Sequence, residues 1–310
     1  MDVPAGARVG IAPVLVTGAS GGVGSAIVRM LMADPRWPVV ALDRAAPPPV
    51  PGPDRVRSIQ ADLRSADLQR LVHDRVAAVV HCAARIPGPG SDEPACAADN
   101  RCIDDNLLAF CATRRVPVVF FSTASVYPRR SDGAWVDEGS AVEPSGPYAA
   151  AKLASEAQFL ALPSPGAAIF RITSPYGPGQ LVDNVVWRFC RAAAAGQPIE
   201  VWGSGRREQD FIHVGDIGQA VARALAAPDF PAGVYLIAAG HPTTMADLAE
   251  TALRVASAPV GPRIGGPADP DDGRTARYNI ARARARLAWE PAVSLDEGIA
   301  SCLLAWRNPT

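Results

Sequence analysis

The chain has 310 residues, and its 30 lysine plus arginine and 31 aspartate plus glutamate residues give a formal net charge of −1. This balance argues against the basic surface of a nucleic-acid-binding protein and against a polybasic membrane surface. No apolar run reaches the roughly 20 residues of a membrane span, and we see no signal peptide at the amino terminus. The length and the 48% hydrophobic content suit a large soluble α/β domain, alone or with a smaller lobe.

The six cysteines favour a reduced, cytoplasmic protein. None forms a Cys-x-x-Cys pair, and Cys82 and Cys111 lie in apolar patterns that predict buried free thiols. Such thiols are typical of a reducing compartment. No spacing of histidines, cysteines and carboxylates indicates a metal site.

The first half of the chain alternates apolar, β-branched runs with helical patterns. The predicted strands cover residues 14–18, 39–43, 56–62, 77–84, 116–125 and 167–172. The predicted helices cover 22–33, 99–114 and 148–161, and a proline-rich loop covers 45–53. Near-continuous apolar strands followed by helices predict a doubly wound parallel sheet of Rossmann type, covered on both faces.

The alternation weakens after residue 174. We predict a loop at 174–180, a helix at 185–195, a strand and turn within 198–211, a helix at 216–227 and a strand at 233–239. Residues 240–310 contain two helical patterns separated by a Gly/Pro/Asp-rich stretch at 259–273, and residues 283–289 read as a surface helix packing one face. This part of the chain predicts a smaller C-terminal lobe.

Three glycines follow the first strand directly and open the first helix. Gly18 permits a tight turn, Gly21 lets backbone N–H groups approach a pyrophosphate, and Gly24 lets the helix pack closely on the sheet. The helix N-terminus itself favours phosphate. The turn therefore predicts a dinucleotide site, with Gly22 and Val23 as further contacts.

Asp43 ends the second strand, 19 residues after Gly24. A carboxylate there accepts hydrogen bonds from ribose hydroxyls and repels a 2′-phosphate, which predicts NAD as the cofactor. Arg44 follows directly, and a guanidinium next to the ribose keeps NADP as the open alternative.

Lys152 is the only lysine of the chain, and Tyr148 lies four residues before it. Positions i and i+4 share one face of a helix, so the two side chains point into the same space. A free phenol has a pKa near ~10, and a nearby cation lowers it. A Tyr–Lys pair can arise by chance, but this pair holds the single ammonium of a chain that otherwise uses arginine. We interpret Tyr148 as a general base assisted by Lys152.

The Gly-x-x-Gly-x-x-Gly turn after Thr17, together with Tyr-x-x-x-Lys, resembles the extended branch of the short-chain dehydrogenase/reductases. The resemblance implies that Thr123 hydrogen-bonds the substrate oxygen, with Ser125 as a second candidate. It also implies further cofactor contacts from Asp62, Leu63, Cys82, Ala83, Ala84, Asn100, Ser122, Tyr148, Lys152 and Ser174.

The second half resembles nucleotide-sugar epimerases and dehydratases. The similar segments are RITSPYGPGQ at 171–180, VWGSGRREQDFIHVGDIGQAV at 201–221 and ARARLAWEPAVSLDEGI at 283–299. The resemblance implies an NAD-binding core at 1–173, completed by about 212–239, a substrate-binding lobe at 174–211 and 240–310, and a homodimer formed through helices 99–114 and 148–161. The implied substrate contacts are Arg85, Thr123, Ala124, Ser125, Tyr148, Ser174, Asn184, Val201, Arg207, Gln209 and Arg274.

Two of these positions depart from the family pattern. Ser174 stands where the family usually has a substrate-binding asparagine, and Gln209 stands where it usually has an arginine that grips the diphosphate. Bidentate arginines suit a diphosphate. The candidates to replace the lost one are Arg206 or Arg207 nearby and Arg274 or Arg277 in the C-terminal lobe.

Two hypotheses for the reaction follow, and two alternatives are disfavoured. The first is an NAD-dependent epimerase, with a nucleotide-linked sugar as the expected substrate, which transiently oxidises a hydroxyl to a ketone. The second is an NAD(P)-dependent ketoreductase or alcohol dehydrogenase acting on another small polyol or natural-product intermediate. A sugar dehydratase is disfavoured, because Ala124 and Ser125 replace the Asp-Glu pair of that activity. A dinucleotide-sensing regulator is disfavoured as well, because it has no need of Tyr148 and Lys152.

Overall fold

A computed structural model describes residues 12–46, 55–88, 90–179 and 184–307. Most of the predicted 45–53 loop lies outside the described residues, as do the first residues of the chain and the end of the predicted 174–180 loop.

Seven strands of the described residues form one parallel sheet, which confirms the doubly wound fold. They are β1 Val14–Thr17, β2 Val39–Asp43, β3 Val56–Gln60, β4 Ala78–His81, β5 Val118–Thr123, β6 Ala167–Ile172 and β10 Gly233–Ile237. Their order is β10-β6-β5-β4-β1-β2-β3. The strand order reverses between β1 and β4, and open α/β sheets bind ligands at such a switch point.

Helices cover both faces of this sheet. In chain order, the helices of the described residues, including those of the smaller lobe, are α1 Gly22–Ala33, α2 Leu68–Leu71, α3 Glu93–Arg114, α4 Pro147–Leu160, α5 Val185–Ala194, α6 Val214–Ala226, α7 Met245–Val255, α8 Ala281–Leu287 and α9 Leu295–Arg307. α1 packs against α6, and α3 packs against α4. One apolar core lies under each of these helix pairs.

Two predicted boundaries on the α3–α4 side were wrong. α3 begins at Glu93, six residues before the predicted start, because Asp92 accepts a hydrogen bond from the N–H of Ala95 and Pro94 suits the first turn. β5 ends at Thr123 rather than Ser125, because Thr123 accepts a hydrogen bond from the N–H of Ser125 and starts a short 3₁₀ turn.

The remaining elements form a smaller lobe. Residues 174–176, predicted as loop, form β7 (Ser174–Tyr176), which pairs with β9 (Glu208–His213) beside β11 (Pro242–Thr244). β8 (Glu200–Val201) pairs with β12 (Arg263–Ile264). α5, α7 and α9 surround a third apolar core. Residues 240–307 contain three helices, α7, α8 and α9, rather than the predicted two.

α8 departs from this lobe and packs against α6 and β10. Ala283 and Leu287 are its buried residues, as expected of a helix that packs one face. The proposed division at 173 and 240 stays a prediction, as does a homodimer formed through α3 and α4. No helix in the described part of the chain is long and apolar enough to cross a membrane.

Asp216 joins the sheet side of the molecule to its C-terminal segment. The buried carboxylate in α6 accepts hydrogen bonds from the N–H of Ala292 at 2.9 Å and of Val293 at 3.2 Å. The backbone carbonyl of Asp216 accepts a third from the indole of Trp289 at 3.0 Å. These contacts give Asp216 a structural role, joining α6 to the C-terminal segment.

We predict that Asp216→Ala lowers the free energy of unfolding by about 2 kcal/mol or more, because two buried N–H groups lose their acceptor. Urea-induced unfolding measures the change. Asp229→Ala removes an exposed carboxylate just after the same helix and should have little effect. Equal stability of the two variants would contradict this account of Asp216.

Candidate active site

The glycine turn forms a close-packed corner between β1 and α1. Gly18 has φ +68°, and a Cβ added at Gly24 would lie 2.0 Å from the carbonyl oxygen of Gly18. The N–H of Gly21 donates to that same oxygen at 3.0 Å. Because Gly21 caps α1 without a side chain, the first N–H groups of the helix remain available to phosphate oxygens.

The carboxylate of Asp43 lies beside this turn. Its two oxygens accept hydrogen bonds from the N–H of Ser20 at 2.9 Å and of Ala45 at 3.0 Å. Each carboxylate oxygen has a second acceptor site, so the group can still receive ribose hydroxyls. Arg44 is exposed, and its carbonyl accepts a hydrogen bond from Gln60. The turn and this carboxylate together fit a dinucleotide.

A chain of ion pairs fixes Asp62, which follows β3. Arg64 forms an ion pair with Asp62 at 2.6 Å and a second ion pair with Asp99. Hydrogen bonding to Arg64 lowers the pKa of Asp62 to about 2. Arg85 pairs with Asp99 at 2.9 Å. Leu63, next to Asp62, is buried.

The segment that follows β4 runs against the glycine turn. A Cβ at Gly18 would lie 2.6 Å from the backbone nitrogen of Ala83, and the N–H of Cys82 donates to the carbonyl of Thr17 at 3.2 Å. Cys82 is half-buried, like Ala83 and Ala84. The carboxamide of Asn100 accepts from the N–H of Arg85 at 2.7 Å and donates to its carbonyl at 2.9 Å. Asn100 therefore fixes the end of this segment through its backbone.

Tyr148 lies at the second helical position of α4, next to the end of β5. Its N–H donates to Glu93 at 3.2 Å, which fixes the start of the helix. Burial raises the pKa of Tyr148 to about 12, and the negative charge of Asp104 contributes. Thr123 accepts a hydrogen bond from the N–H of Ser125 at 3.1 Å, so the Thr123 hydroxyl hydrogen stays available to a substrate oxygen. Ser122 instead donates to the buried Glu156 at 2.5 Å.

Lys152 lies in a buried network that the sequence did not predict. Its ammonium is 3.4 Å from each oxygen of Asp104 and lies over the ring of Phe120. Asp104 bonds Nε2 of His81 at 3.0 Å, and Nδ1 of His81 bonds the hydroxyl of Thr17 at 2.6 Å. The sequence signal that could have identified Asp104 is its helical spacing. Asp104 follows Asn100 by four residues, so both lie on the same buried face of α3.

A polar cleft opens beyond Thr123, between the sheet and the smaller lobe. Thr123, Ala124, Ser125, Ser174, Arg207, Gln209 and Arg274 are the predicted site residues in its lining. Its three carboxylates all have partners. Glu208 pairs with Arg277 at 2.8 Å, Asp271 pairs with Arg129 at 2.9 Å, and Asp210 accepts hydrogen bonds from Thr173, Ala239 and Gly240.

A second, more apolar cavity lies between α5, β8 and α7. Val185, Phe189, Ile199, Val201, Trp202 and Met245 form much of its wall. Asn184 caps α5 by accepting from the N–H of Trp187 at 3.0 Å, next to this wall. Arg207 lines both cavities, lies 3.2 Å from Asp269 through its Nε, and so stands where the two spaces meet.

The predicted residues thus fall into two groups, and Tyr148 and Lys152 line neither cavity. The glycine turn, Asp43 and Cys82–Ala84 lie on the β1 side, and the cleft residues lie toward the lobe. Arg85 is in neither lining. The amide of Gln209 donates to Ser174 at 3.2 Å, so the two positions that depart from the family pattern contact each other.

The profile of the NAD dependent epimerase/dehydratase family matches residues 14–238. The chain belongs to this family. The match includes the sheet, the glycine turn, Tyr148 and Lys152, and ends one residue after β10. It confirms the enzyme class, the extended short-chain dehydrogenase/reductase type and NAD as the cofactor.

Curated relatives of similar length include both activities of the family. UDP-glucose 4-epimerase of Mycolicibacterium smegmatis is 29% identical, with 95% of this chain and 98% of the relative covered. dTDP-glucose 4,6-dehydratase of Streptomyces niveus is 30% identical, with 95% and 93% covered.

Solved structures of similar proteins carry NAD. MoeE5 in complex with UDP-glucuronic acid and NAD is 29% identical, has a TM-score of 0.83, and the match covers 96% of this chain and all of MoeE5. The Thermus thermophilus UDP-glucose 4-epimerase in complex with NAD is 26% identical with a TM-score of 0.83, again over 96% and 100% of the two chains.

We predict that Gly24→Ala weakens NAD binding about tenfold or more, because its new Cβ would displace the carbonyl of Gly18 from the turn. Isothermal titration calorimetry with NAD measures the affinity, and thermal unfolding reports whether the variant is folded. Gly88→Ala is the matched control, because nothing lies within 4 Å of a Cβ there. Unchanged NAD affinity in a folded Gly24→Ala variant would contradict this function of the turn.

Proposed function

We propose that the protein is an NAD-dependent epimerase of a nucleotide-linked sugar. The position of Arg207 carries this proposal, because that one guanidinium borders both the polar cleft and the apolar cavity. A nucleotide sugar has a polar end and a base joined by a diphosphate. The polar cleft suits the sugar, the apolar cavity suits the base, and Arg207 suits the diphosphate between them.

Arg207 is also the better of the two neighbouring candidates to replace the arginine that Gln209 lacks. Arg207 directly precedes β9, and both Arg207 and Gln209 line the polar cleft. Nε of Arg207 is buried and lies 3.2 Å from the carboxylate of Asp269, without the geometry of a hydrogen bond. Arg206 is exposed and borders neither cavity.

The chemistry divides between Tyr148 and Thr123. When bound, NAD supplies the acceptor and later the donor of a hydride. Tyr148 as phenolate takes the proton of a sugar hydroxyl while hydride leaves the same carbon, which becomes a carbonyl. Thr123 donates to that oxygen. Tyr148 then returns the proton when hydride comes back to the opposite face of the sugar, and the configuration is inverted.

Dehydration is a poorer fit to the cleft. Elimination of water needs an acid and a base next to Thr123, and Ala124 and Ser125 stand there. Each of the three carboxylates in the cleft lining already has a partner, Arg277 for Glu208 among them.

A second candidate is a ketoreductase or alcohol dehydrogenase. The hydrogen bond between Gln209 and Ser174 favours it, because both positions lose a substrate contact of the sugar enzymes at once. Such an enzyme uses the same Tyr148 and Lys152 but releases its cofactor in each cycle. Reduction of added NAD by a substrate alcohol supports this candidate, whereas NAD that remains bound through purification supports the epimerase.

We predict that Tyr148→Phe lowers turnover about 10²–10⁴-fold, because the proton acceptor is lost. Lys152→Ala should also abolish most turnover. Tyr235→Phe removes a buried phenol within β10 and is the control. Turnover is followed by NMR of the product sugar. Full activity of Lys152→Ala on a confirmed substrate would rule out the Tyr–Lys mechanism.

We predict that UDP, dTDP, GDP or CDP sugars raise the unfolding temperature in the presence of NAD, with a clear preference for one nucleotide. Arg207→Gln should lose this shift, because the diphosphate loses its bidentate donor. Arg191→Gln, an exposed arginine of α5 outside both cavities, should keep it. No response to any nucleotide sugar by the unaltered protein would favour the second candidate instead.

A further inference from the structure

Asp104 has no assigned part in the reaction, yet it forms a buried ion pair with Lys152. Its carboxylate is 1% exposed and the lysine side chain 2% exposed. Both oxygens of Asp104 are 3.4 Å from the ammonium, so the carboxylate faces the lysine with its two acceptors. A buried pair of this kind holds its charges in place because neither has water as an alternative partner.

The groups around this pair come from five elements. α4 contributes Tyr148, Lys152 and a hydrogen bond from Ser155 to Asp104. β4 contributes His81, β1 contributes Thr17, and β5 contributes the ring of Phe120. The thiol of Cys82 follows β4, and burial raises its pKa, so it remains uncharged. Glu93 lies at the start of α3 and holds the N–H of Tyr148.

His81 adds no charge to this group. A carboxylate can only accept, so Nε2 of His81 carries the hydrogen toward Asp104, and Nδ1 accepts from the hydroxyl of Thr17. That pattern satisfies the neutral ring, and burial lowers the pKa of His81 further. Burial opposes ionisation of Asp104, but Lys152 and the bond from His81 lower its pKa overall. One positive and one negative charge therefore remain, and they offset each other.

We propose that Asp104 is a positioning residue that fixes the ammonium of Lys152 and offsets its charge, so that Tyr148 keeps its proton until another positive charge enters the site. Oxidised nicotinamide brings one positive charge when bound, and the reduced form brings none. Tyr148 then becomes a base when it must take a proton and an acid when it must return one. The change of Tyr148 between base and acid rests on the proposed function. The effect of Asp104 on the pKa of Tyr148 is a property of the protein without cofactor or substrate.

The variant that tests this is Asp104→Asn, which keeps the shape and an acceptor for His81 but removes the negative charge. The phenol of Tyr148 is titrated by tyrosinate absorbance without cofactor or substrate, as the difference between each protein and its Tyr148→Phe counterpart. We expect the pKa of Tyr148 in Asp104→Asn to fall by about one unit or more. Asp105→Asn removes an exposed charge from the next residue of α3 and should leave the titration unchanged.

An unchanged midpoint in Asp104→Asn would overturn the proposal, because Asp104 would then be a structural residue only. An upward shift would overturn it too, because Lys152 would have lost its proton together with its partner. Should Asp104→Asn fail to fold, Asp104→Ser tests the same charge with a smaller side chain. Since no substrate is present, a protein that turns over no nucleotide sugar still gives a readable titration.

With a substrate in hand, the pH profile of kcat/KM gives a second readout. Its acidic limb reports the pKa of the base in the free enzyme. In Asp104→Asn that limb should move to lower pH by the same amount as the titration midpoint of Tyr148. A loss of rate at every pH with no movement of that limb indicates a structural defect and contradicts the offset of charge.

Discussion

The buried ammonium of Lys152 constrains much of the architecture around it. A charge held out of water needs an opposite charge and hydrogen bonds, and Asp104 with His81 and Thr17 provides them. These residues come from α4, α3, β4 and β1, so one contact network joins the α3–α4 pair to the strand that enters the glycine turn. Gly18 follows Thr17 directly. Lys152 is thereby held at a fixed position relative to the glycine turn.

Local patterns were sufficient for the sheet and the turn. α1 and β2 have the predicted bounds, because the glycines and the apolar period of 2 or 3.6 residues are local signals. β7 was missed because its partner is distant in sequence, with Ser174 opposite Phe211. Asp104 was missed for a similar reason. An acid within a helix usually faces water, and only the fold brings this one to Lys152.

The lobe side of the site depends on arginines that already have carboxylate partners. Arg207 lies near Asp269, and Arg274 lies 3.4 Å from Asp271. A diphosphate entering between the cavities would compete with these acids for the guanidinium groups. Affinity then reflects the difference between two sets of ion pairs rather than the gain of one. Gln209 stands at the position where an arginine would add a positive charge, and it makes a neutral hydrogen bond to Ser174 instead.

The central claim is that a sugar carbon is oxidised and reduced again by the same hydride. Turnover in deuterated water, followed by NMR of the product, tests it most directly. The account predicts that the inverted carbon keeps its original hydrogen, because hydride leaves and returns without meeting solvent while only hydroxyl protons exchange through Tyr148. Deuterium at the inverted carbon would mean that the carbon itself lost a proton, and it would contradict the transient oxidation.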